Sequence, residues 1–332
     1  MSRTAKATGA LLLGLVFLLF FGGWRLYDHA MHNTSPRSLG EQFIEAMNQN
    51  DLARANKLLD MGVDVSIRQP YSNITCLMAA ARMPDSRLLQ RLIRQGADVN
   101  AEDSSGSPAL VYLLMSGRAT PALVKLLLPN HVHLRPNAVA GASPLGLAIQ
   151  TRDPQIIADV LDAGANANEK DAGGKPVLDD VVEADDLATV KKLVAHGASV
   201  NVRGPLGERP LLTALNLGDD AMAQYLLAHG ADVNVQDKDG SSALLCAVAN
   251  NLPGSFAALL ARGARTDTRN KKGETALIVA AREGRVEMAG ALLRKHADIT
   301  IKDATTRTAA AWAKDQVFTE IEKMLRQHGE SR

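Results

Sequence analysis

The stretch GADVNVQDKDGSSALLCAVANNLPGSFAALLARG, residues 230–263, decides the fold. It begins and ends on glycines that are 33 residues apart, and its internal Gly240 belongs to a second series with the same spacing. Farther out, the first series includes positions 164 and 197, and the second includes positions 141, 174, 207 and 273. Between the glycines, each segment contains a turn, an apolar helix, a short loop and a second apolar helix. A fixed period of this length indicates a repeat array whose units are stabilised by stacking on their neighbours.

The text around the glycines identifies the type of repeat. It reads GADVN at 96–100, GANAN at 164–168, GASVN at 197–201 and GADVN at 230–234, each after a Leu-Leu pair or its equivalent. This pattern resembles the ankyrin repeat over roughly residues 39–329. The resemblance implies an all-α solenoid of about nine units, with a degenerate N-terminal cap at 39–68 and a C-terminal cap from Thr306. The full repeats begin at Asn73, Gly106, Gly141, Gly174, Gly207, Gly240 and Gly273.

The chain departs from the family pattern near the start of each first helix. The usual histidine is absent, and its place is held by Met78, Val111, Gly146, Leu212, Leu245 and Ile278. Its loss removes hydrogen bonds between neighbouring turns and predicts a softer array. The second full repeat is also two residues longer, at 116–121, and has His131-Val132-His133 where Gly-Ala-Asp belongs. We therefore expect the repeats around 104–140 to open first.

The first thirty residues have a different character. Eighteen uncharged residues, Ala7 to Trp24, contain the run LLLGLVFLLFF at 11–21. As a helix, this span is about 27 Å long, close to the roughly 30 Å of a bilayer core. It predicts a cytoplasmic segment at 1–9, a transmembrane signal anchor at 10–24 and a polar tether at 25–38. A cleaved signal peptide is the alternative, but no suitable site has small residues at both −1 and −3.

The charged residues beside this run predict its orientation. Arg3 and Lys6 precede the run with no acidic residue beside them. The basic residues that follow it are partly offset in charge by Asp28 and Glu41. This bias places the N-terminus in the cytoplasm and the repeats across the membrane. Together with the low cysteine count, it favours a Gram-negative inner membrane with the repeats on the periplasmic side.

The composition offers little that could carry chemistry. A net charge of +1 and an aromatic content of 4% argue against nucleic-acid binding. Cys76 and Cys246 are too few for a zinc site and too far apart in a solenoid to pair, so we expect buried, small apolar residues. His131 and His133 lack a third metal ligand nearby in the sequence. We expect no enzymatic activity, no metal and no cofactor.

Two further groups of polar residues have structural interpretations. His196 and His229 each precede a glycine in the last turn of a helix, where they complement the helix dipole. The pairs Asp179-Asp180 and Asp185-Asp186 flank another helix. We expect these carboxylates to form a solvated acidic face rather than a general acid–base pair.

The resemblance also implies where binding occurs. In ankyrin arrays, the turn tips and the inner face of the first helices form a concave groove that typically binds proteins. The corresponding residues here are Tyr71, Ile74, Arg82, Met83, Met115, Val139, Gln150, Glu183, Leu206, Asn216, Asp239, Lys271, Lys272, Arg282 and Glu283. The apolar residues toward the N-terminal end are expected to be exposed and to anchor a partner. The charged residues toward the C-terminal end are expected to steer it.

These features predict a membrane-tethered module, monomeric when free, that captures or inhibits a protein partner in the periplasm, as an immunity-type inhibitor would. Two alternatives remain open. One is a periplasmic scaffold or stress-protection factor for a resident enzyme. The other is a cytoplasm-facing adaptor, which requires the opposite orientation. Each alternative involves a protein partner and no nucleic acid.

Overall fold

The computed structural model describes residues 38–128, 134, 143–171 and 173–330. The predicted anchor at 10–24, the tether up to residue 37, Val139 and the histidines at 131 and 133 lie outside these residues. Among the described residues, no helix is both long enough and apolar enough to cross a bilayer. The chain divides into two compact units, Met1–Ile67 and Arg68–Arg332.

The described part of the first unit contains helices α1 (Leu39–Asn48) and α2 (Leu52–Asp60). A capping box starts α1, because Ser38 Oγ accepts a hydrogen bond from Glu41 N at 3.2 Å and the Glu41 carboxylate accepts one from Ser38 N at 3.0 Å. Phe43 of α1 and Leu58 of α2 are buried in the core of this unit. The helix pair occupies the segment predicted as the N-terminal cap.

In its described part, the second unit consists of helix pairs joined by short loops and turns. The first helices of the pairs are α3 (Cys76–Ala81), α5 (Ala109–Met115), α7 (Pro144–Thr151), α9 (Val177–Glu183), α11 (Pro210–Leu217), α13 (Ala243–Ala249), α15 (Ala276–Arg282) and α17 (Ala309–Asp315). The second helices are α4 (Ser86–Arg94), α6 (Pro121–Leu126), α8 (Pro154–Asp162), α10 (Leu187–Ala195), α12 (Asp220–Ala228), α14 (Pro253–Ala261), α16 (Val286–Arg294) and α18 (Thr319–Glu330). Isolated antiparallel bridges, such as Gln236 to Ser242, close turns before the first helices.

The helices of each kind stack on their counterparts in neighbouring repeats. The first helices pack in the successions α3, α5, α7 and α9, α11, α13, α15, α17, while α12 packs on α14 and α16 on α18. Within each pair, the two helices also pack on each other, as α13 does on α14. The predicted all-α repeat architecture is confirmed for the described residues.

The position of the missing histidine is apolar and buried in most repeats. Met78, Val111, Leu212, Leu245 and Ile278 are all buried. Each is the third residue after the N-cap of its helix, where it faces the start of the helix. Burial of an apolar side chain therefore replaces the polar contact that a histidine would make.

One regular series of hydrogen bonds between neighbouring repeats comes from the asparagine that ends segments such as Gly-Ala-Asp-Val-Asn. Asn168 Nδ2 donates to Gly197 O at 2.9 Å, and Asn168 Oδ1 accepts from Ser199 N at 2.8 Å. Asn201 repeats both contacts one period later, with Gly230 O and Asp232 N. We name this series, with its continuations from Asn234 and Asp267 to the next repeats, the asparagine ladder.

The C-terminal repeats keep the backbone conformation of the earlier repeats at positions where glycine has been replaced. His296, Thr306 and Val317 have φ values of 61°, 65° and 62° and stand one period after Gly263, Gly273 and Gly284. Their left-handed conformation is the one that glycine adopts without steric cost.

Candidate protein-binding surface

The predicted binding residues that the structure describes occupy two kinds of position in the second unit. The first kind is the turn before a first helix, and the second is the last turn of that helix or the loop just after it. Because the first helices stack within the two successions α3–α7 and α9–α17, these positions follow one another within each of them. Exposed members are Tyr71, Met115, Gln150, Glu183, Leu206, Asn216, Asp239, Lys271, Lys272 and Glu283, while Arg82 and Arg282 are half-buried.

Ile74 and Met83 are exceptions, and their predicted exposure is wrong. Both side chains are 8% exposed. Ile74 lies inside the turn, where its carbonyl accepts a hydrogen bond from Gln69 N at 2.8 Å. Met83 precedes Pro84, whose ring fixes φ near −65°, so this loop cannot adopt the left-handed conformation found one period later at Gly117. The loop follows a different course, and Met83 packs inward.

Three other predicted apolar residues are exposed. Tyr71 is 92% exposed, Leu206 is 83% exposed and Met115 is 39% exposed. Tyr71 and Leu206 lie on turns, and Met115 ends α5. Leu217, at the end of α11, is exposed as well. These apolar side chains are therefore available to a partner.

The charged residues of the surface are tied to one another. Lys175 Nζ contacts Asp180 Oδ1 at 2.7 Å and Glu183 Oε2 at 2.8 Å. Lys271 Nζ lies 3.7 Å from Asp239 Oδ1. Because the carboxylates of these pairs are exposed, the pairs contribute little to stability.

Asp179 contradicts the predicted solvated acidic face. Its side chain is 0% exposed, whereas its neighbour Asp180 is exposed and pairs with Lys175. The reason is its register, because Asp179 is the third residue after the N-cap of α9, the position that is apolar and buried in most other repeats. Of the second pair, Asp185 is exposed and Asp186 caps α10 by accepting from Thr189 N at 2.9 Å.

Near the C-terminal end, Arg282 is held between two carboxylates and an aromatic ring. It forms ion pairs with Glu274 and with Glu283, the latter at 3.1 Å. Its guanidinium lies 5.8 Å from the centre of the Trp312 ring, and that of Arg307 lies 4.7 Å from the same centre. Cation–π contacts of this kind orient the ring.

Two aromatic residues on the first helices form contacts that were not predicted from the sequence. Trp312 Nε1 donates to Asp303 Oδ2 at 2.6 Å, and Tyr112 Oη donates to Asp103 Oδ2 at 2.7 Å. Although burial opposes ionisation, the hydrogen bond from Trp312 and those from Thr305 and Arg307 hold the pKa of Asp303 at about 2. We call these arrangements the Asp103–Tyr112 clamp and the Asp303–Trp312 clamp.

The two clamps are equivalent parts of the repeat. Their residues are 200 positions apart, which is six periods plus the two extra residues of the second repeat. Arg82 interacts electrostatically with Tyr112, as Arg282 contacts Trp312. The signal was present in the sequence, since in both repeats an aromatic residue follows the first aspartate of the turn by nine positions.

The histidines and cysteines have the structural positions predicted for them. His196 and His229 are the C-caps of α10 and α12, and their Nδ1 atoms lie 2.8 Å from the carbonyls of Lys192 and Tyr225. Cys76 and Cys246 are buried and form no disulfide, and burial raises the pKa of Cys246 to about 12. Within the described residues, no group of three His, Cys, Asp or Glu side chains is arranged to hold a metal ion.

A stacked array of helix pairs with an exposed row of turns and helix ends defines a repeat-type scaffold. The family model for ankyrin repeats in three copies matches residues 77–171, 178–270 and 211–303. The chain therefore belongs to the ankyrin-repeat family.

Similar proteins come from diverse sources. The chain is 31% identical over 134 residues to the ankyrin repeat protein FPV223 of fowlpox virus, an alignment that spans 40% of this chain and 91% of that protein. It is 27% identical over 157 residues to the phosphocholine transferase AnkX of Legionella pneumophila and 28% identical over 153 residues to the mitochondrial disaggregase of Bos taurus. The latter alignments span 46% and 45% of this chain but only 16% and 22% of those proteins.

Proposed function

We propose that this chain is a membrane-tethered, non-catalytic protein-binding module that captures or inhibits one protein partner in the periplasm. Its membership of the ankyrin-repeat family supports a role in protein–protein interaction. The apolar run at 11–21, with its basic N-terminal flank, supports the tether and the orientation. The module is monomeric until its partner binds.

The observation that carries this proposal is the exposure of large apolar side chains along the turns and first helices. Tyr71 and Leu206 are almost fully exposed, although burying such a side chain stabilises a protein by about 1.5–3 kcal/mol. Charged side chains such as Glu183 and Lys271 flank them along the array. Apolar anchors surrounded by charged residues are typical of a surface that a protein partner covers.

A pull-down with the full-length chain in mild detergent tests this surface. We expect one dominant protein to be captured and to be lost from the triple variant Tyr71→Asp, Met115→Asp, Leu206→Asp. The matched control is Leu126→Asp, which adds the same charge at an exposed position on a second helix. The control should retain the partner, and circular dichroism should show that both variants fold.

Other results would change or reject the proposal. If the triple variant keeps the partner and a Lys271→Glu, Lys272→Glu, Arg282→Glu variant loses it, the site lies in the C-terminal repeats. No captured protein, together with hydrolytic activity of the pure chain, would reject the binding-module function.

The location is tested separately. Alkaline phosphatase fused after Gly40 should be active in a Gram-negative host, because the enzyme is active only after export. The chain should also remain in the membrane after carbonate extraction, and it should not be shortened by cleavage. Activity from a cytoplasmic reporter alone at this junction would reverse the orientation and support the adaptor alternative.

A further inference from the structure

Asp179 lacks a hydrogen-bond donor because of the residue that starts its helix. In α3, the backbone N–H of the N-cap Thr75 points at the third residue of the helix and lies 3.3 Å from Met78 Sδ. The N-cap of α9 is Pro176, which has neither a backbone N–H nor a hydroxyl group. Both carboxylate oxygens of the fully buried Asp179 have no hydrogen-bond partner in the described structure.

Glu169, in the segment that leads into α9, is a second buried carboxyl group. Its carbonyl accepts a hydrogen bond from Val177 N at 2.9 Å, just as the carbonyl of Val235 accepts one from Ala243 N at 3.1 Å two repeats later. Glu169 therefore occupies a position that is apolar in the equivalent repeat. Its side chain is 3% exposed, and among the described residues the Ser143 hydroxyl is the one group besides burial that acts on its carboxylate.

The charged groups around Asp179 do not neutralise its carboxyl group. Lys175 attracts Asp179 but already contacts Asp180 and Glu183, while Glu183, Glu208 and Asp180 repel it. Helix α11, which packs on α9, contains no ionisable residue, and neither Lys191 nor Lys192 of α10 acts on Asp179.

Burial consequently shifts both titrations in the same direction. It raises the pKa of Asp179 from 3.8 to about 6. Burial also raises the pKa of Glu169, and the hydroxyl of Ser143, which already caps α7 at 2.8 Å from Gly146 N, opposes this rise. Both groups therefore bind a proton more tightly in the folded repeat than in the unfolded one.

We propose that the fourth repeat, residues 174–206, is an acid-closed joint that packs tightly when Asp179 and the adjoining Glu169 are protonated and loosens when they ionise. A neutral carboxyl group can remain in the apolar interior, whereas an unpaired carboxylate there is stabilised by any opening that admits water. The stabilisation is complete below the unfolded-state value near 4. It decreases as the pH rises toward 6 and is absent above that range.

This joint would regulate the binding surface, a consequence that rests on the proposed function. Glu183 ends α9, and Leu206 lies on the next turn. Loosening of the fourth repeat would break the continuity of the surface between them. Partner affinity is therefore expected to rise as the pH falls from 7.5 to 5.

Hydrogen exchange of the full-length chain, measured by mass spectrometry at pH 5 and pH 7.5 and corrected for intrinsic rates, tests the joint without any partner. From the raised pKa of Asp179, we expect the equilibrium constant for opening of the α9 and α10 amides to be about tenfold larger at pH 7.5 than at pH 5. The double variant Asp179→Asn, Glu169→Gln should show less than a twofold change. The control variant Asp239→Asn, which alters an exposed carboxylate on another turn, should behave as the wild type.

An unchanged opening equilibrium in the wild type, or the same pH dependence in the double variant, would overturn the proposal. If the double variant does not fold, the Pro176→Thr variant tests the proposal instead. It keeps both carboxyl groups and supplies Asp179 with a backbone N–H donor. This change should reduce the pH dependence severalfold. The matched Pro108→Thr change, at the equivalent N-cap of α5 with Val111 in place of the aspartate, should leave the pH dependence unaltered.

Discussion

Val317 shows how a single residue can strain an otherwise regular repeat. It joins α17 to α18 with a φ of 62°. The equivalent loop residues are Arg152, Asp185, Gly218, Asn251 and Gly284, and all have positive φ. A β-branched residue is poorly suited to this conformation, which costs roughly 1–2 kcal/mol for residues with a Cβ atom. Because the side chain is exposed, little packing compensates for this cost.

We expect Val317→Asn to stabilise the chain by about 1 kcal/mol, because asparagine tolerates the left-handed region and already occupies it at Asn251. Urea unfolding of the full-length chain followed by circular dichroism measures the change. The converse variant is Gly263→Ala, where φ is 79° and an added Cβ would meet nothing within 4 Å. It should cost about 1 kcal/mol through backbone strain alone. Unchanged or lower stability of Val317→Asn would show that the loop is not strained.

At the residue scale, the sequence predicted some positions and not others. The exposure of Tyr71 and the burial of Cys246 followed from their places in the repeat. Asp179 did not, because two adjacent acidic residues were interpreted by their charge rather than by their register. Comparison with Val111 and Leu212, which occupy the same place, would have predicted a buried carboxyl group. The burial of Met83 depends on how Pro84 alters the loop, which the period alone does not reveal.

Among the repeated elements, the asparagine ladder connects the extended segments. Asn201 is exposed, but it joins two backbone groups of the next repeat through hydrogen bonds of 2.9 Å each. We expect Asn201→Ala to lower the free energy of unfolding by about 1 kcal/mol, since it leaves a carbonyl and an N–H without their partner. The comparable change at exposed Asn216, Asn216→Ala, should be nearly neutral. Equal effects of the two variants in urea unfolding would contradict a stabilising role for the ladder.

The helices themselves were the part of the fold that the sequence predicted well. Their apolar periodicity and the glycine series are local signals, and neighbouring repeats present the same signal again. The clamps formed by Tyr112 and Trp312 were missed because each occurs in one repeat and is diluted by repeats that lack it. The asparagine ladder was also missed. Its residues were evident in the text, but their partners lie about thirty positions away in the next repeat.

Across the molecule, stability should vary because the repeats bury different amounts of apolar surface. In α6, Val124 is the buried residue of a six-residue helix, whereas α12 buries Met222, Ala223, Leu226 and Leu227. We expect the amides of α5 and α6 to exchange before those of α11 and α12, because stability in an array is the sum of local and nearest-neighbour terms. Hydrogen exchange of the full-length chain at one pH measures this order. Uniform protection from residue 73 to 300 would contradict it.

The asparagine ladder also has a consequence for the length of the array. Each asparagine forms hydrogen bonds only with main-chain atoms of the next repeat. These bonds therefore do not depend on which side chains that repeat carries. We therefore expect that a whole period can be deleted or duplicated between Asn168 and Asn234 without breaking the ladder, since the new neighbour presents the same carbonyl and N–H. The length of the array can then change in steps of 33 residues, while the hydrogen bonds between neighbouring repeats are kept.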